Sequence, residues 1–296
     1  MSDGNGGGPA SSAPLIESVS DTARWVAVYR AQETERRDAH FRDPYARRLA
    51  GERGEEMVRG LAHGQSSAWS LVVRTVVFDE LLTRAIQEDN VDVVINLGAG
   101  LDARPYRLSL PASLRWVEVD LPAIVAYKEE KLAREQPRCR LERVALDLSD
   151  DSARGELFAR VAADASHVLA MAEGLLVYLT ADQVGKLASD LHAQPSFRWW
   201  LIDLVSPGLL RYMQRSWKED LAAGDTRMGF APAEGAEFFR RYGWVTSEFR
   251  STMQEARRLK REARLAWLGR LLGRLGSPER QAMYRNLAGS ALLQRA

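Results

Sequence analysis

Gly98, Gly100 and Asp120 are the residues whose types and spacing most clearly suggest chemistry. Residues 91–97 form a short apolar run rich in β-branched side chains, typical of a buried parallel strand. The run ends at Gly98-Ala99-Gly100, where glycine permits a tight turn and a close approach of the backbone to a ligand. Asp120 closes the next predicted strand, about 20 residues on, where an acid binds ribose hydroxyls in nucleotide folds. The spacing predicts an adenosine-type cofactor; the alternative is that the glycines only make a turn.

Asp102, two residues beyond the glycines, bears on the choice of cofactor. A dinucleotide would place its pyrophosphate at this turn, and the carboxylate of Asp102 would repel that anion. S-adenosylmethionine (SAM) carries no phosphate but has a sulfonium and an ammonium group, which a carboxylate attracts. SAM therefore fits better than NAD, and helix capping is the alternative role for Asp102.

The residues around this turn resemble those of a known family. Residues 94–108, VINLGAGLDARPYRL, resemble the SAM-binding segment of the leucine carboxyl methyltransferase-like family, which includes bacterial enzymes that methylate polyketides and other small molecules. Further segments on both sides of this one match the family in the same order along the chain. They are residues 30–33 with 43–46, 73–79, 116–122, 145–148 and 172–179. The resemblance covers residues 20–205 and implies SAM as the cofactor and S-adenosylhomocysteine as the product.

The resemblance also implies a role for individual residues. Arg74 would pair with the methionine carboxylate of SAM, Asp147 would accept from the adenine beside Leu148, and Glu173 would face the ammonium or the transferred methyl group. These roles suit the residue types, since arginine pairs with carboxylates and carboxylates with cations and donors. The predicted cofactor-binding residues are Arg74, Gly98, Ala99, Gly100, Asp102, Asp120, Leu121, Asp147, Leu148 and Glu173.

Methyl transfer from SAM is an in-line displacement, in which the enzyme mainly aligns the reacting groups and excludes water. A carboxylate acceptor, with a pKa of ~4, is ionised at pH 7 and needs no base, whereas a hydroxyl would benefit from one. The histidines are His40, His63, His167 and His192. None of them is a clear base, although the first two could reach the site. Glu173 and Tyr178 are the candidate catalytic residues, acting by positioning.

The acceptor is expected to contact the N-terminal helices and the region after the fifth strand. Candidate acceptor-binding residues are Tyr29, Arg30, Tyr178, Arg211 and Tyr212, with Trp69, Trp217 and Phe230 as further aromatic wall residues. Either arginine could pair with an anionic acceptor. The alternative is that aromatic residues at helical spacing belong to the core.

Together these observations predict a SAM-dependent O-methyltransferase that acts on a carboxylate of a small molecule, of the kind found in secondary metabolism. The nearest alternatives are a hydroxyl acceptor and a protein C-terminal carboxylate. An inactive SAM-binding or partner-binding module is the alternative from another class. An NAD-dependent dehydrogenase is disfavoured by Asp102.

Alternating strands and helices must position these residues. The predicted strands are 91–97, 114–120, 141–146, 168–173, 199–205, 242–251 and 288–294. The predicted helices are 20–50 with a break at Asp43-Pro44, 66–88, 122–134, 181–193, most of 207–240, and a basic stretch at 252–275, with a polar, Gly-rich connection at 51–64. With the resemblance, this alternation predicts a Rossmann-like class I methyltransferase: a mostly parallel seven-stranded sheet with helices on both faces and a helical cover. The expected division is a disordered tail at 1–17, a helical cover at 18–90, and a SAM-binding domain at 91–296 with helical insertions near 207–240 and 252–285.

Composition narrows the class of protein further. The 296 residues are 46% hydrophobic and 27% charged with a formal charge of +1, which is ordinary for a globular protein and argues against a nucleic-acid binder. The single cysteine allows no internal disulfide or metal cluster and suits a reducing compartment. No apolar run approaches the ~20 residues of a membrane span, and the N-terminus lacks the parts of a signal peptide. A cytoplasmic protein without membrane association is expected, with its oligomeric state left open.

Overall fold

The computed structural model describes residues 19–60, 64–216, 228–262 and 286–296, which form one sheet flanked by helices. The strands are β1 (Val93–Leu97), β2 (Arg115–Asp120), β3 (Arg140–Ala145), β4 (Val168–Ala172), β5 (Phe197–Val205), β6 (Trp244–Ser251) and β7 (Ala288–Arg295). The helices are α1 (Val19–Glu35), α2 (Ala46–Gly60), α3 (Gly64–Glu88), α4 (Arg104–Arg107), α5 (Pro122–Leu132), α6 (Asp151–Ala163), α7 (Ala181–His192), α8 (Pro207–Ser216) and α9 (Thr252–Arg258), with 3-10 helices at Leu176–Tyr178 and Gly235–Tyr242.

The strand order across the sheet is β3-β2-β1-β4-β5-β7-β6. Strand β7 is antiparallel to both of its neighbours, and the other pairs are parallel. The order changes direction between β1 and β4, and open α/β sheets bind ligands in the crevice at such a switch point. The predicted seven-stranded, mostly parallel, Rossmann-like sheet is confirmed.

Apolar side chains cover the sheet on both faces. Helices α6 and α7 bury Phe158 and Leu187 against one face, while α3 buries Phe78 and Leu82 against the other. The five residues of β1 and the five of β4 are all buried, which is why these strands do not alternate between apolar and polar residues; Asn96 of β1, which donates to Asp102, is the one polar residue among the ten.

Helices α1 and α2 pack on each other and form a third apolar layer, the cover. The predicted connection at 51–64 holds at Gly51, whose φ of 63° and ψ of −178° interrupt the helix, but it is wrong over residues 52–60, where the chain is helical again after the kink. Leu49 and Met57 are fully buried on either side of the kink. Gly54 lets α2 approach α1, since a Cβ there would lie 3.2 Å from the side chain of Val28.

Two other predicted helices are shorter than expected. The stretch at 20–50 is helical only to Glu35 and again from Ala46, because Asp43 is buried and its carboxylate accepts from the backbone of Tyr45 and the side chain of Arg30. In the basic stretch predicted at 252–275, residues 252–258 are helical and residues 259–262 are not, while the remainder lies outside the described residues.

Several expectations fall outside the described residues. They are the disordered tail at 1–17, His63, residues 217–227 with Trp217, and most of the insertion predicted at 252–285. In the rest of the helical insertion predicted at 207–240, residues 207–216 are helical and residues 228–234 are not. Within the described ranges, no helix combines the length and hydrophobicity needed to cross a bilayer.

Candidate active site

A cavity of about 720 Å³ lies along the carboxyl ends of the parallel strands. One side, the glycine-turn half, is lined by the segments that follow β1, β2 and β3: Asn96, Gly98–Asp102, Asp120, Leu121, Ile124 and Leu146–Ser149. The other side is the arginine half. It is lined by residues 69–71 and Arg74 of α3, the segment after β4, the end of β5, residues of α8, Met228, the first two residues of α9 (Thr252 and Met253) and residues 287–290 at the start of β7. Helix α1 closes the top with Thr22, Ala23, Trp25, Val26 and Arg30.

The glycine-turn half is built from backbone groups around one carboxylate. Gly98 and Gly100 have φ values of 64° and 49°, a region that glycine adopts without strain. Asp120 accepts the Gly100 amide at 2.6 Å and the Leu121 amide at 2.7 Å, one on each carboxylate oxygen. Burial raises the pKa of Asp120 above its ordinary value. Each oxygen retains a lone pair, so the carboxylate can still accept from ligand hydroxyls.

Apolar side chains flank that carboxylate. Leu121 is 40% exposed and lines the cavity with Ile124, Leu146 and Leu148. Asp147 lies on the same wall, and a bond from the Ser149 amide at 2.9 Å lowers the pKa of its carboxyl. An exposed leucine beside an ionised carboxylate suits an apolar ring with a donor on its edge.

Asp102 lies in the cavity wall, but its negative charge is already balanced by the guanidinium of Arg104. Its carboxylate accepts from Asn96 at 2.9 Å and from the guanidinium of Arg104 at 3.0 Å, and it also accepts the Arg104 amide at 3.0 Å. Burial alone would raise the pKa of Asp102, but the charge of Arg104 lowers it. Asp102 thus holds the short helix α4 against the glycine turn, in addition to its place on the wall.

Arg74 is the central residue of the arginine half. Its Nε donates to Glu173 and its Nη1 to Asp203, both at 3.0 Å. The guanidinium lies against Gly174, where a Cβ would approach Nη1 to 3.2 Å. Asp203 also accepts the Gly174 amide at 2.6 Å, so the two carboxylates and the glycine fix the plane of the arginine.

Asp203 is a site residue that the sequence analysis missed. The signal that could have found it is a carboxylate near the carboxyl end of the strand β5, in the same place as Glu173 directly after β4. An unpaired carboxylate is costly to bury in an apolar strand, so an aspartate there predicts a partner or a function.

Arg104 connects the two halves from beneath. Its side chain is 2% exposed and pairs with Asp102 at 3.0 Å, with Asp79 at 2.7 Å and with Glu173 at 2.7 Å. Burial alone would raise the pKa of Glu173, but Arg104 and Arg74 lower it below its ordinary value. Glu173 is therefore a paired, ionised carboxylate rather than a free one.

The predicted acceptor residues separate into two groups. Tyr178 and Tyr212 line the arginine half, and Trp69 does so as well. Tyr178 shares a hydrogen bond with Thr22 of the cover, and burial raises the pKa of its phenol. Arg30 lines the cavity, but its guanidinium is engaged by Asp43 and by the Leu101 carbonyl.

Three predicted acceptor residues do not line the cavity. Tyr29 is 1% exposed and packs edge-on against Trp25 in the cover. Phe230 is buried in the core against Phe238. Arg211 lies on the exposed side of α8. Helical spacing cannot distinguish a core face or an exposed face from a cavity face, so it fails for Tyr29 and Arg211, and Phe230 does not lie on a helix at all.

The three histidines that the structure describes lie away from the cavity. His40 bonds the Leu259 carbonyl at 2.6 Å, and His192 packs against Trp244 at the end of α7. His167 precedes β4, at the opposite end of the strand from the cavity. None of these three is placed to act as a base.

Two proteins of the genus Streptomyces are similar to this chain over its central part. A protein of Streptomyces avermitilis, with a proposed SAM-dependent methyltransferase activity, is 38% identical over 185 residues, which are 58% of this chain and 64% of that protein. A Streptomyces coelicolor protein with the same proposed activity is 38% identical over 190 residues, with the same two shares. The chain thus spans less than two thirds of the length of these relatives.

Solved structures and a family model give matching results. A DUF574 family protein from Streptomyces avermitilis superposes with a TM-score of 0.60 at 16% identity, covering 93% of this chain and 97% of that one. A proposed methyltransferase from Thermobifida fusca superposes with a TM-score of 0.56 at 15% identity, covering 97% and 96%. These likenesses show the fold. The model of the family described as leucine carboxyl methyltransferase matches residues 23–192, more than half of the sequence, and the chain belongs to that family.

Proposed function

We propose that this chain is a SAM-dependent O-methyltransferase whose acceptor is the carboxylate of a small molecule. The observation that carries the proposal is a single cavity with Asp120 at one side and Arg74 at the other. The first suits a nucleoside and the second a carboxylate. The proposed activities of the similar Streptomyces proteins support the same class of reaction.

The glycine-turn half fits the nucleoside part of SAM. Asp120 would accept the ribose hydroxyls on its free lone pairs, while Leu121 and Leu148 would flank the adenine and Asp147 would accept from its amine. SAM supplies a methyl group on a sulfonium sulfur, which carries a positive charge.

The charges beneath the cavity suit such a cation. Five carboxylates face four arginines there, which leaves one negative charge in excess among these described residues: Asp43, Asp79, Asp102, Glu173 and Asp203, against Arg30, Arg74, Arg104 and Arg107. An excess negative charge in a partly buried site attracts a cation more strongly than it would in water.

Arg74 would bind carboxylates. Two of its five N–H donors bond Glu173 and Asp203, and three remain for the methionine carboxylate and for the acceptor. The two carboxylates keep the guanidinium from turning, so the acceptor oxygen would be held in one direction. Tyr178, protonated because burial raises its pKa, would donate to the same oxygen and closes the site against water together with Thr22 of α1.

The choice of a carboxylate follows from the lack of a base among the described residues. Glu173 is ionised and already paired, and the described histidines lie elsewhere. A carboxylate, with a pKa of ~4, is already ionised at pH 7 and needs no proton removed. A hydroxyl acceptor would require a base that this wall does not offer.

The test combines cofactor titration with the fate of the methyl group. The protein is titrated with SAM, S-adenosylhomocysteine and NAD, and is then incubated with methyl-labelled SAM and a panel of small carboxylic acids and phenols. We expect binding of the first two ligands, and label that base converts to methanol, since methyl esters hydrolyse and methyl ethers do not. Binding of NAD alone, or label only in base-stable products, would overturn the proposal.

A matched pair of variants tests the role of Arg74. Arg74→Lys keeps the charge but loses the planar fork, so methyl transfer should fall about 10- to 100-fold. Arg84→Lys is the control, because Arg84 lies on the same helix and forms a partly exposed pair with Glu248. Equal activity of the two variants would show that Arg74 does not hold the acceptor.

A further inference from the structure

The arginine half of the cavity is almost free of charge. Its three charged side chains, Arg74, Glu173 and Asp203, pair with one another at the tips of β4 and β5. Every other described side chain lining this half is uncharged, and most are apolar. Among the described residues, whatever occupies this space therefore meets one charged cluster and a mostly apolar wall with a few hydroxyl groups.

Methionines contribute much of that wall. Met213 of α8, Met228 and Met253 of α9 all line it. Met228 is 3% exposed, and its carbonyl accepts from Gln214 of α8 at 2.8 Å, which ties this part of the wall to the helix. Methionine is flexible and polarizable, so a methionine wall adapts to apolar ligands of irregular shape.

An exposed aromatic residue on α8 points to the same conclusion. Tyr212 is 59% exposed and lines the arginine half, while Leu121 is 40% exposed and lines the glycine-turn half. Each half therefore leaves one large apolar side chain open to solvent at the cavity. The adenine of the proposed cofactor would cover the exposed surface of Leu121, whereas no part of that cofactor would cover Tyr212.

We infer that the acceptor is a carboxylic acid with an uncharged, apolar body, which packs on Met213, Met253 and Tyr212 while its carboxylate reaches Arg74. The inference rests on the proposed function for the identity of the reacting group. A charged group on the body would lose its hydration against this wall without gaining a partner. The wall thus selects acids by the polarity of the part that does not react.

The experiment compares two acids with the same eight-carbon chain, octanoate and 8-aminooctanoate, which differ only in the terminal ammonium group. Each is titrated calorimetrically into the full chain saturated with S-adenosylhomocysteine, so that binding is measured without turnover. Methyl transfer to each acid is measured separately. We expect octanoate to bind at least about tenfold more tightly, because the second acid carries an ammonium into the apolar wall.

Variants locate the effect on the wall. Met213→Gln and Met253→Gln keep the length of the side chain but add an amide, and each should weaken octanoate binding about tenfold. Binding of S-adenosylhomocysteine should not change, which shows that the fold is kept. Arg211→Gln is the matched control on α8, because Arg211 is exposed and does not line the cavity.

The outcomes separate this inference from the proposed function. Undetectable octanoate binding, equal binding of the two acids, or octanoate binding unaffected by both methionine variants would overturn the inference. Selective binding of octanoate without methyl transfer would leave the inference standing and count against carboxylate methylation.

Discussion

The two halves of the cavity are built by different means. In the glycine-turn half, the defining hydrogen bond joins the Gly100 amide to Asp120, which are 20 residues apart along the chain. In the arginine half, Arg74 bonds Glu173 and Asp203, which are 99 and 129 residues away. The first half uses backbone amides and glycine conformations, and the second uses charged side chains from three separate elements.

This difference separates what is general in the site from what is adaptable. The backbone amides and glycine turn around Asp120, called the cradle from here on, form whenever β1, its turn and β2 form, and in the proposed function they would bind the part of the cofactor that does not depend on the acceptor. Side chains on α3, β4, β5 and α8 can be exchanged without disturbing that cradle, so the arginine half is where acceptor choice can vary. Arg104 is the exception, since it pairs with Asp102 in one half and with Glu173 in the other.

The largest effect is expected where the halves are joined. Arg104→Met would remove the one cation that Asp102, Asp79 and Glu173 share, leaving Asp79 to Arg107, Glu173 to Arg74 and Asp102 to the amide of Asn96, so the free energy of unfolding should fall by about 3–5 kcal/mol. Urea denaturation measures the change. Arg160→Met, which removes an exposed pair with Glu142, should cost about 1 kcal/mol or less. Similar losses for both variants would mean that Arg104 does not link the halves.

The next effect tests the cradle itself. Asp120→Asn can accept one of the two amides from Gly100 and Leu121 but presents an NH₂ group to the other. Binding of S-adenosylhomocysteine should therefore weaken about 10- to 100-fold, as expected when hydrogen bonds to a charged group are lost. Asp147→Asn changes an exposed carboxylate on the same wall and should weaken binding less. Calorimetric titration of both variants with S-adenosylhomocysteine measures the two affinities. A larger loss of affinity in Asp147→Asn than in Asp120→Asn would contradict the assignment of the ribose hydroxyls to Asp120.

A smaller effect tests how the arginine half holds its guanidinium. Gly174 has a φ of 71°, and an added Cβ would also press on Arg74 at 3.2 Å. Gly235 is the control position, because it has a φ of 60° and no atom near its Cβ position. An alanine at Gly235 therefore brings only the cost of the unfavourable backbone conformation, without a new contact. Both alanine variants should lose about 1–2 kcal/mol of unfolding free energy, because alanine tolerates this backbone region poorly.

Only Gly174→Ala should also lower kcat, because only there does the new methyl group displace the arginine. Steady-state rates with an accepted carboxylate give the comparison. If Gly235→Ala lowers kcat equally, the packing of Gly174 under Arg74 has no part in the reaction.

The contrast between the halves also explains what could be predicted from the sequence. The strand, glycines and acid of the glycine-turn half are close in the sequence, so their spacing predicts their geometry. The fold could be predicted from the alternation of strands and helices along the chain, together with the family resemblance. Asp203 and Arg104 were missed because their roles depend on partners that only the folded sheet brings near. The ionic state of Glu173 was unpredictable for the same reason, since it is set by Arg74 and Arg104 together.

The errors on helices have a different physical cause. The helix does end at Gly51 as expected, but a second helix starts directly after it in place of the expected connection, because Leu49 and Met57 are both buried on the side that packs on α1. Tyr29 and Arg211 lie on helices that do border the cavity, yet they face the core and the solvent. Periodicity identifies a face of a helix, but only the packing determines what that face meets.

The smallest expected effect is a difference in the pH at which the key carboxylate of each half takes up a proton. Burial raises the pKa of Asp120, whereas the arginines hold the pKa of Glu173 below its ordinary value. Ligand hydroxyls bind the ionised form of Asp120, so the affinity for S-adenosylhomocysteine should be constant at neutral pH and fall as the pH drops through the raised pKa, by at most about tenfold per pH unit.

Glu173 contributes stability that is present above its unfolded pKa and is lost only as the pH falls through its lower folded pKa. The arginine half thus keeps its ion pairs across the window in which Asp120 takes up its proton. Calorimetry at a series of pH values, with circular dichroism to confirm the fold, measures the effect. Asp120→Asn should remove the pH dependence while leaving the weaker binding. A slope that persists in this variant would place the titrating group elsewhere in the cavity and would contradict the assignment of the ribose to Asp120.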